Sequence, residues 1–235
     1  MVKLLLISNS TNAGEKFLEH PKEELQRFFK GINRAVFIPW AAVTFSYDEY
    51  EAKVQGRFAE LGVEVESVHH YKNPQKVLQD AESIVVGGGN TFKLLKTIQQ
   101  HDLTEIVRHK VMNGTPYCGW SAGANVACPT ICTTNDMPIT EPFNFTAFNL
   151  VRFQINPHYL DANPDGHAGE TREQRIMEYI AEEPHIYVVG LREGTLITLE
   201  NAKLTLKGKK PARIFKNGKA PQEVQPGSDL DFLFD

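Results

Sequence analysis

Six short apolar runs, at residues 2–7, 35–38, 63–68, 83–86, 116–119 and 151–155, alternate with longer segments of helical periodicity. This alternation limits the folds open to the chain more than any other feature. A strand buried on both faces is expected to read as a continuous apolar run rather than as a strict alternation. The segments between them, at 21–30, 48–61, 74–81, 91–100 and 103–113, carry helix signals. Pro21 and Pro74 suit a first helical turn, Ser46 and Glu49 have capping-box spacing, and Gly62 suits a helix end. A further helix is expected at 172–182, where Thr171 and Gln174 repeat the capping-box spacing. Strands joined by helices cross over right-handedly, so the expected architecture is α/β, with a mainly parallel sheet flanked by helices on both faces.

Beyond residue 185 the pattern changes to short strands at 186–190, 195–199, 203–206 and 212–215, separated by turn residues that include Asn217-Gly218. These read as C-terminal β-hairpins. The basic cluster Lys207, Lys209, Lys210, Arg213, Lys216 and Lys219 reads as a solvated hairpin edge that resists aggregation. A chain of 235 residues is within reach of one core, and no repeat, low-complexity stretch or linker divides it. The expectation is one α/β hydrolytic domain over 1–235, with 195–235 as its β-rich extension.

Composition excludes several functions. Lys and Arg number 25 against 29 Asp and Glu, a net charge of −4, a balance that supplies no general attraction for nucleic acid or an anionic membrane. The opening apolar stretch is too short for a signal peptide and reads as a strand. Cys118, Cys128 and Cys132 cannot all pair, which argues against a disulfide scaffold and for reduced thiols in the cytoplasm. Cys128 and Cys132 lack the second ligand pair that a zinc site needs and read as small buried hydrophobes.

In an open parallel sheet ligands bind beyond the carboxyl ends of the strands. There the sequence places Ser8-Asn9-Ser10-Thr11, Pro39-Trp40, Gly87-Gly88-Gly89-Asn90, Trp120-Ser121-Ala122-Gly123 and Asn156-Pro157-His158. The sharpest signal is Gly119-Trp120-Ser121-Ala122-Gly123, a G-x-S-x-G between a strand and a helix that would expose the Ser121 hydroxyl on a strained turn. A serine needs a base, and His158 at the active edge is favoured over His69 and His70, which follow the third strand and stay open. For the acid that orients the imidazole, Asp136 and Glu193 are equally credible from position. The Gly87-Gly88-Gly89 loop lacks phosphate-loop spacing and suits an oxyanion hole together with the amide after Ser121. The segment Asp161 to Gly166 opens like a calcium loop, but Arg172 stands where a bidentate glutamate is required, and His167 with Glu170 adds no metal spacing.

Leu-Leu-Ile-Ser-Asn-Ser-Thr at 5–11, Ala-Val-Phe-Ile-Pro at 35–39, Val-Gly-Gly-Gly-Asn-Thr-Phe at 86–92, Gly-Trp-Ser-Ala-Gly-Ala-Asn at 119–125, Thr-Thr-Asn-Asp-Met-Pro at 133–138, Gln-Ile-Asn-Pro-His at 154–158 and Gly-Glu-Thr-Arg-Glu-Gln-Arg at 169–175 resemble the peptidase E, or α-aspartyl dipeptidase, family. The resemblance runs to about Gly194. It implies a class I glutamine amidotransferase-like fold and a serine hydrolase, with no cofactor or metal, that removes an amino-terminal aspartate from dipeptides. It further implies Ser121 as nucleophile, His158 as base, Asp136 as first choice of acid with Glu193 as the alternative, and Gly89 and Ala122 as oxyanion amides. Arg172 is the implied partner of the substrate carboxylate, since a buried anion needs a charge partner. The expected partner is a small Asp-X peptide, with neither nucleic acid nor membrane, and the oligomeric state, a homo-oligomer included, is left open. Two other readings are a cyanophycinase-like hydrolase of aspartyl bonds in another polymer and a non-enzymatic phosphate- or nucleotide-binding module.

Overall fold

The computed structural model describes residues 1–163, 166 and 168–234. Five parallel strands, β1 (Leu4–Ile7), β2 (Arg34–Ile38), β3 (Glu64–Ser67), β4 (Ile84–Val86) and β5 (Tyr117–Trp120), lie in the order β3-β2-β4-β5-β1. A second sheet holds β6 (Gln154–Tyr159), β7 (Val188–Arg192), β10 (Ala212–Phe215) and β11 (Gln222–Val224) in the order β11-β10-β7-β6. Strands β8 (Thr195–Glu200) and β9 (Lys203–Gly208) return to the first sheet, where β8 pairs antiparallel with β1. The mainly parallel sheet flanked by helices is the expected architecture.

Side chains on successive strand residues point to opposite faces, and β1 shows the result. Leu4 and Leu6 enter a core shared with Leu78, Ile98, Val107 and Val111 of helices α3 (Pro74–Gln79), α4 (Thr91–Gln100) and α5 (Thr104–Met112) and with Ile155, Val189 and Leu191 of the second sheet. Leu5 and Ile7 enter another core under α1 (Lys22–Phe28) and α2 (Tyr47–Ala59), with Phe28, Val54 and Phe58. All four β1 side chains are fully buried. Each contributes roughly 1.5–3 kcal/mol, which makes this short strand the anchor of both cores. Helix α7 (Arg172–Glu182) packs Ile176 and Ile180 on Tyr159, Val188 and Phe215 of the second sheet. Both capping boxes form, Ser46 with Glu49 and Thr171 with Gln174, so α2 and α7 begin where their spacing places them.

Two expectations change. The run at 151–155 does not make a sixth strand of the parallel sheet; the strand is shifted to Gln154–Tyr159 and runs parallel to β7 in the second sheet. The physical reason is that β1 already has β5 on one side and β8 on the other, so the place is filled. Residues 195–208, expected in a C-terminal extension, are strands of the central sheet, while β10 and β11 form a hairpin whose loop carries Asn217-Gly218.

Candidate active site

Because β4, β5 and β1 are neighbours, the Gly87-Gly88-Gly89 loop, Ser121 and Ser8 emerge side by side at the carboxyl edge of the sheet. The two glycines of the G-x-S-x-G are required by packing. A Cβ on Gly119 would lie 2.3 Å from the Gly123 carbonyl oxygen, and one on Gly123 would lie 2.2 Å from that of Val86. Between them Ser121 takes φ 53° and ψ −114° and leads into the short helix α6 (Ala122–Asn125). A non-glycine residue in such a conformation stores about 1–3 kcal/mol, so its surroundings must hold it. Its N–H donates to the Ile7 carbonyl at 2.9 Å.

His158 is the second strained residue, with φ 53°, at the point where the β6–β7 register shifts between Pro157 and Tyr159. The bulge re-aims its side chain out of the strand's alternation. Its N–H donates to Ser8 Oγ at 3.0 Å, and that hydroxyl donates to the Leu191 carbonyl at 2.6 Å. Glu193 sits in the turn by which the chain leaves the second sheet for the first, and the following N–H, of Gly194, donates to Asn9 Oδ1 at 2.8 Å. Three successive residues at the end of β1 therefore hold the backbone at or beside Ser121, His158 and Glu193. The strand-end polar residues Ser8 and Asn9 were a visible signal, but their positioning contacts span more than 140 residues and are invisible in sequence.

The three side chains meet in a line. Ser121 Oγ is 2.9 Å from His158 Nε2, and His158 Nδ1 is 2.7 Å from Glu193 Oε1. An ionised carboxylate can only accept, so Nδ1 carries the ring proton and Nε2 is left to accept from the serine hydroxyl. Side-chain exposures of 39% for His158 and 44% for Glu193 leave the pair within reach of water, so its contribution is orientation more than stability.

Asp136, the first choice for the acid, does not face the imidazole. Its Oδ2 accepts from the Thr91 N–H at 2.7 Å, the Thr91 hydroxyl at 2.6 Å and the Thr134 hydroxyl at 3.1 Å. An anion at the positive N-terminal end of α4, with three donors, is already satisfied there. This contact joins the 133–138 loop to the glycine loop, and Asn90 Nδ2 reinforces it by donating to the Met137 carbonyl at 2.9 Å.

The glycine loop is held from behind by two hydrogen bonds. Trp120 Nε1 donates to the Tyr50 hydroxyl at 2.9 Å, and that hydroxyl donates to the Gly88 carbonyl at 3.0 Å. The peptide is planar and trans, so fixing the Gly88 carbonyl fixes the Gly89 N–H in the opposite direction. Burial pushes the Tyr50 hydroxyl far above its ordinary pKa and keeps it a donor. Space demands glycine throughout, since a Cβ on Gly87 would strike the Tyr50 ring, one on Gly88 would lie 2.9 Å from Ser121 Cβ, and one on Gly89 would lie 2.2 Å from the Ala41 carbonyl oxygen. The Ala122 N–H, at the first helical residue after Ser121, has no partner in its own helix by geometry.

Arg172 opens α7 and lines a cavity of about 130 Å³ with Thr134, Asn135, Asp136, Asn156 and Arg175. The cavity is tied to the line of three: Asn135 Nδ2 donates to the Pro157 carbonyl at 2.6 Å, one residue before His158. Burial and then the neighbouring Arg175 lower the Arg172 pKa, against an opposing pull from Asp136. No carboxylate among the described residues forms an ion pair with it, so it is a half-buried cation facing an open space.

His69 and His70 lie elsewhere, against Asp48 and Glu51. Cys118 and Cys128 are buried free thiols and Cys132 is an exposed one. Asp165 and His167, weighed for metal binding, lie outside the described residues. Among the described residues no helix is long and apolar enough to cross a membrane.

A serine on a strand-to-helix turn, an imidazole on its hydroxyl and a carboxylate behind the imidazole form the arrangement with which serine hydrolases activate a nucleophile. Comparison with known proteins narrows the class. The model of peptidase family S51 matches residues 4–207. Peptidase E of Nostoc sp. is 48% identical over 234 residues, covering 99% of this chain and 97% of that protein. Peptidase E of Escherichia coli O6:K15:H31 is 46% identical over 226 residues, covering 96% and 99%. A solved peptidase from an acI-B1 Actinobacterium superposes with a TM-score of 0.72 at 17% identity, covering 98% and 96%, a likeness of fold. The chain belongs to peptidase family S51, and it is a peptidase.

Proposed function

We propose that the chain is a serine dipeptidase that releases aspartate from the amino terminus of Asp-X dipeptides. The observation that carries the reading is the hydrogen-bonded line from Ser121 through His158 to Glu193, next to a cavity that presents an arginine with no ion-pair partner among the described residues. His158 Nε2 takes the hydroxyl proton as Ser121 Oγ bonds to the carbonyl carbon of the aspartyl residue. The charge that develops on the carbonyl oxygen meets the Gly89 and Ala122 N–H groups. His158 then gives its proton to the departing amine as the C–N bond breaks, leaving an aspartyl ester on Ser121. Water, deprotonated by the same nitrogen, attacks the ester and frees aspartate and the serine hydroxyl. Throughout, Glu193 holds the Nδ1 proton and stabilises the imidazolium. Arg172 pairs with the substrate side-chain carboxylate, which explains how a protein of net charge −4 attracts an acidic substrate.

The same reading assigns the whole chain to one hydrolytic domain that needs no cofactor, works on free small peptides in the cytoplasm, and keeps its thiols reduced. The direct test is hydrolysis of Asp-X, Glu-X, X-Asp, longer Asp-led peptides and an aspartyl polymer by the wild type and by Ser121→Ala. Asp-X is expected to be the preferred substrate, and Ser121→Ala to retain the fold and lose turnover. Preference for the polymer would favour the cyanophycinase-like reading, and unchanged turnover by Ser121→Ala would falsify the mechanism.

A further inference from the structure

Away from the line of three, at the far edge of the same sheet, Asp48, Glu51, His69 and His70 converge, each offering one ligand atom and all within 4.8 Å of one another. We propose that these four side chains bind one divalent transition-metal ion of the zinc class, at a structural site separate from the catalytic groups. The convergence follows from local structure. Asp48 and Glu51 are three apart in the first turns of α2 and share a face, and the Ser46 capping box fixes where that face begins. A single 3-10 turn at Val68–His70, directly after β3, brings two consecutive imidazoles onto it, with ring centroids 3.9 Å apart.

The donors are held from behind, as metal ligands are. Ser67 does this twice. Its hydroxyl is 2.6 Å from His69 Nδ1, leaving Nε2 for the cluster, and its N–H donates to Glu51 Oε1 at 3.0 Å, leaving Oε2 for the cluster. Ser67 is itself fully buried, so both orientations are fixed by the fold. The His69 and Glu51 side chains are largely covered, at 13% and 19% exposure, while His70 and Asp48 are open at 49% and 78% and leave a path for an ion.

The spacing fits. His69 Nε2 is 2.9 Å and His70 Nε2 4.0 Å from Asp48 Oδ1, and His70 Nε2 is 2.5 Å from Glu51 Oε2. Ligands about 2.0–2.1 Å from a tetrahedral zinc ion stand about 3.3 Å apart, so small side-chain rotations suffice. Charge also fits, since two carboxylates balance a divalent ion. Two imidazoles argue against calcium or magnesium, which take oxygen ligands, and for zinc, cobalt or nickel.

The test is titration of the chelator-treated full chain with Co²⁺, read by visible absorption, and with Zn²⁺, read by calorimetry. One ion per chain is expected. His69→Gln and Asp48→Asn should each weaken binding about tenfold or more, with Asp-X hydrolysis retained, and His185→Gln, at an exposed histidine outside the cluster, should bind as the wild type does. Zinc should raise the wild-type Tm and leave that of a His69→Gln/His70→Gln chain unchanged. Absence of stoichiometric binding, or equal affinity in the wild type and that double variant, would overturn the proposal.

Discussion

Glu193 and Asp136 look alike in the sequence, each a carboxylate in a turn, and the fold uses them in opposite ways. One faces His158 Nδ1; the other caps α4 through Thr91. Glu193→Gln should therefore lower kcat by about 10³- to 10⁴-fold, because an amide can present a donor to Nδ1 and favour the wrong tautomer. Asp136→Asn should cost about 1 kcal/mol of stability and leave kcat within about tenfold, because it weakens a helix cap and no reacting group. Paired kcat and urea-melt measurements check both, and a larger kcat loss in Asp136→Asn would reverse the assignment. Arg172→Ala should lower kcat/KM for Asp-X about ten- to a hundredfold, the worth of a charge-assisted hydrogen bond, while Asn-X hydrolysis changes little. Equal losses on the two substrates would remove Arg172 from recognition. Ser121 and His158 were legible as candidates because a strand-end motif and a strand-end position point at them. The carboxylate was not, since choosing between two turns requires knowing which way an imidazole 35 residues from Glu193 is turned.

At the scale of elements, the glycine loop after β4 shows how far local sequence reaches. Its glycines announced a close backbone approach, but the neighbours, Tyr50, Ser121 and Ala41, come from three separate elements. Gly89→Ala is the sharpest probe, because the added Cβ meets the Ala41 carbonyl oxygen and the backbone stands at φ +137°. It should cost about 1–3 kcal/mol of stability and, by displacing the amide proposed as an oxyanion donor, at least about 10²-fold in kcat. Wild-type turnover in a folded Gly89→Ala protein would take this amide out of the mechanism. Capping boxes placed the starts of α2 and α7 correctly because they are self-contained within four residues. The sheet membership of β6 and β8 was hidden for the opposite reason. An apolar run records that a strand is buried, whereas its partner is chosen by competition for the open edge of β1.

At the scale of the molecule, the line of three spans two sheets, with Ser121 after the first and His158 and Glu193 in or after the second. His20 lies behind this junction, beside the cavity that Glu193 helps to line. Its side chain is 7% exposed, and both ring nitrogens are buried without a hydrogen-bond partner among the described residues. Burial lowers its pKa below 6.5, outweighing the opposite pull of Glu15 at 3.9 Å and of Glu193. The unfolded chain therefore takes up this proton first. The stability tied to neutral His20 is fully present above pH 6.5 and is lost as pH falls toward the lower folded-state value. Acidification from about pH 7.5 to about pH 5.5 should lower Tm more in the wild type than in His20→Leu, and equal slopes in thermal melts would contradict this. The hold of β1 on all three active groups also orders events during synthesis. The ribosome delivers β1 and Ser121 early, yet Glu193 is held only when Leu196–Leu199 slot in beside Leu4–Ile7. A nascent chain thus carries a serine without its driver until β8, made long after β1, closes against it.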